Sequence, residues 1–186
     1  MKIEYWNRNS LSPELCNRGL AFIHRRFFDI WGIHRIDVTL SVIEKRDNVI
    51  MFDNYKIVGW LGVERDGELT NACTEYGYNG SAILLELIKT AYQKSNLDKM
   101  YAQVPVEKLD SAKIFLKSGM KIDKNPHLIK LIYAEREVVL SKLVIRKKEM
   151  YKDVLSKKEI ERELEKLKEV TNVHRNNKIP KRNIQK

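Results

Sequence analysis

The sequence predicts an α/β protein: a mixed, mostly antiparallel central sheet flanked by helices, with a helical extension at its C-terminal end. Three observations carry that expectation. Between residues 49 and 74, three short apolar runs follow one another with only turn residues between them, as antiparallel strands on tight connections do. At Tyr76-Gly77-Tyr78-Asn79-Gly80 the texture changes, and Ile83, Leu84, Leu87, Ile88 and Ala91 then share one face at the 3.6-residue period of a helix. Beyond it come a strand, a second helix and two apolar runs split by polar residues, before a charged texture sets in at Arg146.

Taken in order, residues 2–6 alternate apolar and polar and read as a first strand. Ser12-Pro13-Glu14 is a helix start: a capping serine, proline at the first helical position, then an acid in the first turn. The helix so begun puts Cys16, Leu20, Ile23, Phe27 and Trp31 on one face, with Arg18, Arg25 and Arg26 off it, and Gly32 as its stop. Its aromatics read as core. Residues 33–46 stay open, because Ile36, Leu40 and Ile43 fit a helix while Val38, Leu40 and Val42 fit a strand.

Strands are expected at 49–52 and 56–63, and Asp66-Gly67 predicts a two-residue hairpin into a strand over 69–74. A helix is expected from Ser81 to about Gln93 and a strand over 99–104, entered in parallel because a helix intervenes. A helix over 107–117 closes at Ser118-Gly119, and residues 127–133 and 138–145 read as a terminal hairpin. Ser156-Lys157-Lys158-Glu159 is a capping box opening a last helix with a narrow stripe of Ile160, Leu164, Leu167 and Val170. From Asn172 to Lys186 the sequence is polar and basic without period, and reads as disordered.

With 186 residues and 43% apolar content the chain has material for one core, or one core and an appendage. No apolar run approaches the roughly 20 residues a spanning helix needs, and Met1-Lys2-Ile3-Glu4-Tyr5 lacks the apolar region of a signal peptide. Cys16 and Cys73 are too few and too far apart for a disulfide framework or a zinc site, so a reduced, cytoplasmic setting is expected. His24, His34, His127 and His174 share no ligand spacing, and no metal is expected. A hydrolase is unsupported as well: there is no Gly-x-Ser-x-Gly, and Cys73 has no neighbouring His. The net charge of +10 is uneven, +3 over residues 1–145 and +7 over 146–186. The basic tail is therefore a candidate nucleic-acid contact. The stripe of the last helix is a candidate homodimer contact, although under two heptads it fits better packed on its own domain.

A glycine turn feeding a helix leaves backbone N–H groups unpaired at the positive end of the helix dipole, a natural seat for a phosphate or pyrophosphate. Set beside the element order, three stretches then bear a family likeness: I-V-G-W-L-G-V-E-R-D-G-E-L at 57–69, Y-G-Y-N-G-S-A-I-L-L-E-L-I-K-T-A at 76–91, and V-P-V-E-K-L-D-S-A-K-I-F-L-K-S-G-M at 104–120. Together they resemble the GNAT superfamily of acyl-CoA-dependent N-acetyltransferases, over residues 1–145 and not beyond. The resemblance implies a GNAT-like acyltransferase domain over 1–145, followed by a charged helical extension at 146–171 and the basic tail at 172–186. It implies acetyl-CoA as co-substrate and an amine as acceptor, and makes Cys73, Thr74, Gly77, Tyr78, Asn79, Gly80, Ser81, Ala82 and Phe115 candidates for holding the acyl-CoA. Splaying of the strand at 69–74 from that at 100–104 would expose backbone groups to its pantetheine arm.

The family loop reads Arg/Gln-x-x-Gly-x-Gly/Ala. Aligned on Gly80, this chain has Glu75 in place of Arg/Gln and Tyr78 in place of the middle glycine. The family's tyrosine acid, four residues before a glycine, falls on Phe115. Glu75 and Tyr78 are then the candidate catalytic residues, Glu75 as the base nearest the expected thioester. Glu64 and Glu68 are further bases, and Tyr76 and Tyr101 further proton carriers. The competing reading is a nucleic-acid-modifying or nucleic-acid-binding protein on the same fold.

Overall fold

The computed structural model describes residues 1–31, 38–105, 109–122, 129–133, 136–146 and 156–176. Strand β1 (Lys2–Trp6) pairs antiparallel with β2 (Asp47–Asp53), Lys2 opposite Phe52 and Trp6 opposite Asn48. Between them run α1 (Pro13–Trp31) and the single turn α2 (Leu40–Glu44). Ser12 starts α1 as its sequence implies, its hydroxyl accepting the Leu15 N–H at 3.2 Å and its carbonyl the Cys16 N–H at 2.9 Å. The ambiguous stretch resolves as helix where it is described, because Thr39 caps α2 and accepts from the Val42 N–H.

β2, β3 (Lys56–Val63) and β4 (Glu68–Thr74) form an antiparallel meander. The β3–β4 turn departs from the expected two-residue form. Glu64 N–H donates to the Glu68 carbonyl and Gly67 N–H to that of Glu64, leaving a three-residue loop of Arg65, Asp66 and Gly67, with Gly67 at φ 91°. A four-residue turn followed by a left-handed residue keeps the strand twist as well as a two-residue loop does.

Helix α3 (Gly80–Lys94) then crosses to β5 (Lys99–Pro105), which joins β4 in parallel. After α4 (Leu109–Lys117) the chain adds β6 (Lys121–Ile122), a short strand with no expectation attached to it, and β7 (Ile129–Tyr133) and β8 (Arg136–Arg146), which pair as the expected hairpin. β8 inserts between β5 and β6, giving the order β1-β2-β3-β4-β5-β8-β6.

The sheet is covered on both faces. β3 reads as a continuous apolar run because its side chains feed both cores. Ile57 and Trp60 pack with Cys16, Phe22 and Ile23 of α1, whereas Val58, Leu61 and Val63 pack with α3 and α4. Trp60 is wholly buried and donates its Nε1–H to Asn48 Oδ1, while Asn48 Nδ2 donates to the carbonyls of Ile43 and Arg46. On the other face Leu87, Ile88 and Ala91 of α3 have no exposed surface. Each buried Leu or Ile there contributes about 1.5–3 kcal/mol, which holds α3 against the sheet.

Helix α5 (Lys157–Asn176) opens on the expected capping box: Ser156 N–H donates to Glu159 Oε2 at 2.8 Å, and Glu159 N–H to Ser156 Oγ at 3.3 Å. Ile160 and Leu167 join the core cluster of α3 and α4. The helix runs to Asn176, five residues into the tail that was expected to begin at residue 172. The first residues of that expected tail keep helical form as the continuation of a helix already anchored by its apolar stripe. Residues 177–186 lie outside the described residues, as do Gly32, His34 and His127.

Candidate functional site

The site begins with an interruption in the sheet. Between β4 and β5 only Glu68↔Tyr101 and Leu69↔Ala102 are in register, and beyond them the two strands part. A bulge in β4 stands at the same level. Trp60 faces Cys73 and Gly62 faces Thr70, so Asn71 and Ala72 together oppose Leu61, and Asn71 takes φ 51°. A bulge leaves one residue out of the ladder and bends its strand. The strand therefore leaves β5 just where it loses its regular pairing to β3.

At the far end of β4 the chain turns into α3. Asn79 caps the helix, its Oδ1 accepting the Ala82 N–H at 3.2 Å. That bond consumes one of the amides expected to be free. The N–H groups of Gly80 and Ser81 meet no acceptor among the described residues, and the helix dipole behind them favours an anion at this turn, the candidate seat. The two glycines of this turn do different work. Gly77 sits in open space at φ 79°, a conformation that disfavours any side chain, whereas a Cβ on Gly80 would lie 2.5 Å from Thr74 Oγ1. Gly80 is thus required by close packing against the last residue of β4.

Glu75 stands beside this seat, and cations surround it. Its Oε2 meets Arg25 Nη2 at 2.6 Å and Lys56 Nζ at 3.6 Å, and its Oε1 accepts the Tyr76 N–H at 2.8 Å. Burial pushes its carboxyl up, but the Tyr76 amide and the charges of Arg25, Lys56 and Arg26 outweigh it, and the group is held below the ordinary range. Arg26, itself buried, donates to the Thr74 carbonyl at 2.6 Å, pairs with Asp29, and lies over the exposed Tyr76 ring. The acid at the family's Arg/Gln position is therefore offset by cations from α1 and β3. Tyr78 donates to Asp53 Oδ2 at 2.9 Å with Lys56 5.5 Å from its ring centre, and the bond to Asp53 raises its pKa.

The candidates do not all meet at one place. Thr74, Glu75, Gly77, Tyr78, Asn79, Gly80, Ser81 and Ala82 are brought together at the α3 end. Cys73 adjoins them in the chain but points into the α1 core, where burial pushes its thiol up to about 12. Phe115 is 4% exposed and belongs to the core beneath α3 and α4. Glu64, Glu68 and Tyr101 are at the opposite end of β4: Tyr101 donates to Asp66 of the β3–β4 loop, and Glu64 pairs with the buried Arg46 at 3.2 Å. They are separated from Glu75 by the length of a strand. Among the described residues no group of three His, Cys, Asp or Glu is placed to hold a metal, and no helix is long and apolar enough to cross a membrane.

Arg46, Lys56, Asp53 and Asn71 were not singled out in the sequence. For Asn71 a signal existed: asparagine is disfavoured within strands and tolerates left-handed backbone, so its place inside L-T-N-A-C-T marks a bulge. Lys56 and Asp53 carried none, because their role comes from the β2–β3 hairpin bringing them across to the turn.

No family model and no curated protein matches the sequence, but solved structures match the fold. An N-acetyltransferase from Staphylococcus aureus Mu50 is 14% identical, with TM-score 0.59 over 79% of this chain and 99% of that one. Spermidine N-acetyltransferase from Vibrio cholerae, solved with CoA and spermine, is 10% identical, with TM-score 0.59 over 80% and 97%. A GNAT-family acetyltransferase from Streptococcus pneumoniae is 17% identical, with TM-score 0.57 over 78% and 99%. Element order, the parted strands and these likenesses agree: the chain has the GNAT fold.

Proposed function

We propose that this protein is an acyl-CoA-dependent N-acyltransferase that moves an acetyl group to an amine. One observation supports this most: the opening between β4 and β5 is headed by the unpaired amides of Gly80 and Ser81. A slot of that form takes an elongated ligand with an anionic end. The pieces fit a coenzyme A thioester, with phosphates at the seat and the pantetheine arm along β4. Arg25 and Lys56 add positive charge there, and Glu75 fixes both side chains in place.

The bound thioester supplies an activated acyl carbon. A neutral amine attacks it; the C–N bond forms, the C–S bond breaks, and the thiolate leaves as the amine sheds a proton. The protein's contribution is alignment, by backbone groups that the bulge has freed from the ladder. An extended pantetheine arm is about as long as five residues of strand, so its sulfur falls near Asn71 rather than near Glu75. On this reading Glu75 and Tyr78 serve the phosphate end. An ion-paired carboxylate with a lowered pKa is a weak base, and Tyr78 keeps its proton.

The test is thermal unfolding with acetyl-CoA, followed by thiol release over a panel of amines. Acetyl-CoA at about a hundred times its Kd stabilises by about 2.7 kcal/mol. A melting temperature unchanged at millimolar acetyl-CoA refutes the proposal.

A further inference from the structure

Asn71 presents a problem that the fold alone does not solve. It is 6% exposed, and neither its Nδ2 nor its Oδ1 has a hydrogen-bond partner among the described residues. A buried side-chain amide without partners is costly, and native proteins rarely retain one without a use for it. Its position is specific. Asn71 is the first residue of the β4 bulge, two places after the last pair with β5, and it holds φ 51°. The residues on either side are accounted for: Thr70 Oγ1 accepts from Arg46, and Ala72 packs on the α3 core.

Because both a donor and an acceptor are unmet, a ligand that satisfies Asn71 offers one of each. A carboxylate, a phosphate dianion or an ammonium offers only one kind; an arm of successive secondary amides presents both N–H donors and C=O acceptors along its length. The pantetheine arm is a chain of two secondary amides.

We propose that the side chain of Asn71 is a positioning residue that pairs with a secondary amide of the acyl-pantetheine arm and so sets how far the thioester enters between β4 and β5. This rests on the acyl-CoA reading above. The residue holds the arm, while the anion seat of α3 holds the phosphates.

The experiment measures calorimetric binding of acetyl-CoA and of adenosine 3′,5′-bisphosphate, which keeps the nucleotide and lacks the arm. Asn71→Gly is the main variant, since glycine accepts the left-handed backbone and removes the amide. Asn71→Asp keeps the shape and loses the donor. Both variants are expected to bind acetyl-CoA about tenfold more weakly, with bisphosphate binding unchanged. In Asn71→Gly the melting temperature of the unliganded protein stays level or rises, because an unsatisfied buried group has gone. A variant that loses stability and weakens both ligands alike shows the amide to be structural and overturns the proposal, as does unchanged acetyl-CoA binding. If the wild-type protein binds neither ligand, the acyl-CoA reading fails, and this inference with it.

Discussion

Gly80→Ala is the sharpest probe of how the start of α3 is held. The new Cβ would lie 2.5 Å from Thr74 Oγ1 and 3.5 Å from Thr74 Cβ. The second distance is ordinary contact and the first is not, so the hydroxyl must rotate away or the first turn of the helix must move. Overpacking of this kind costs about 1–3 kcal/mol. Alanine recovers at most about 1 kcal/mol over glycine in a helix, and less in its first turn. The expected net loss is about 1–2 kcal/mol. In a Thr74→Ala background the clashing oxygen is absent, and Gly80→Ala becomes neutral or stabilising by up to about 1 kcal/mol. The sign of the effect therefore changes with residue 74, a coupling of about 2 kcal/mol. Urea unfolding of the four proteins reads it directly, provided the m-value holds. Gly77→Ala is the control: with no atom within 4 Å its cost is backbone strain alone, about 1–2 kcal/mol in either background. If Gly80→Ala is harmless in the wild-type background, or Thr74→Ala fails to rescue it, the packing argument is wrong. The same variants should track ligand: acetyl-CoA affinity falls in Gly80→Ala, whose amides have shifted, and returns in the double variant.

Phe115→Tyr, which restores the family's tyrosine, is expected to destabilise by about 1–3 kcal/mol because the hydroxyl enters an apolar cluster, and chemical denaturation would contradict this by showing no loss. Glu75 has a lowered folded pKa, so its contribution to stability is present above its unfolded value and is lost as pH falls through the folded one. Comparing wild type with Glu75→Gln, the difference in unfolding free energy should shrink on acidification below about pH 4.5, and since Arg25 and Lys56 are each 56% exposed it stays within about 1 kcal/mol at neutral pH. Deleting residues 177–186, which include Lys178, Lys181, Arg182 and Lys186, should leave acetyl-CoA binding unchanged. Any salt-sensitive duplex binding by the full chain should weaken on that deletion, its salt slope becoming shallower by up to about 0.9 for each phosphate that the tail had neutralised.

Read by itself, the sequence determined most of the elements and the glycine turn that opens α3. Both are local: Ser12 and Ser156 cap the helices that follow them, the unbroken apolar run at 57–63 marks a strand buried on both faces, and the period at 83–91 decides which face of α3 is apolar. The order of these elements sufficed for the GNAT-like arrangement. What the sequence alone left undecided depends on partners distant in the chain. Whether Glu75 repels an anion turns on Arg25, 50 residues away, and on Lys56 across the sheet. Gly80 looks like a flexible glycine until Thr74 is seen beneath it. Tyr101 and Glu64 read as a proton carrier and a base; the parallel register of β5 on β4 sets Tyr101 opposite Glu68, at the end of β4 away from Glu75, where Tyr101 donates to Asp66 and Glu64 pairs with Arg46. Charges, clashes and unmet hydrogen bonds are set by distance in space, and tertiary packing alone brings such residues within a few ångströms of one another.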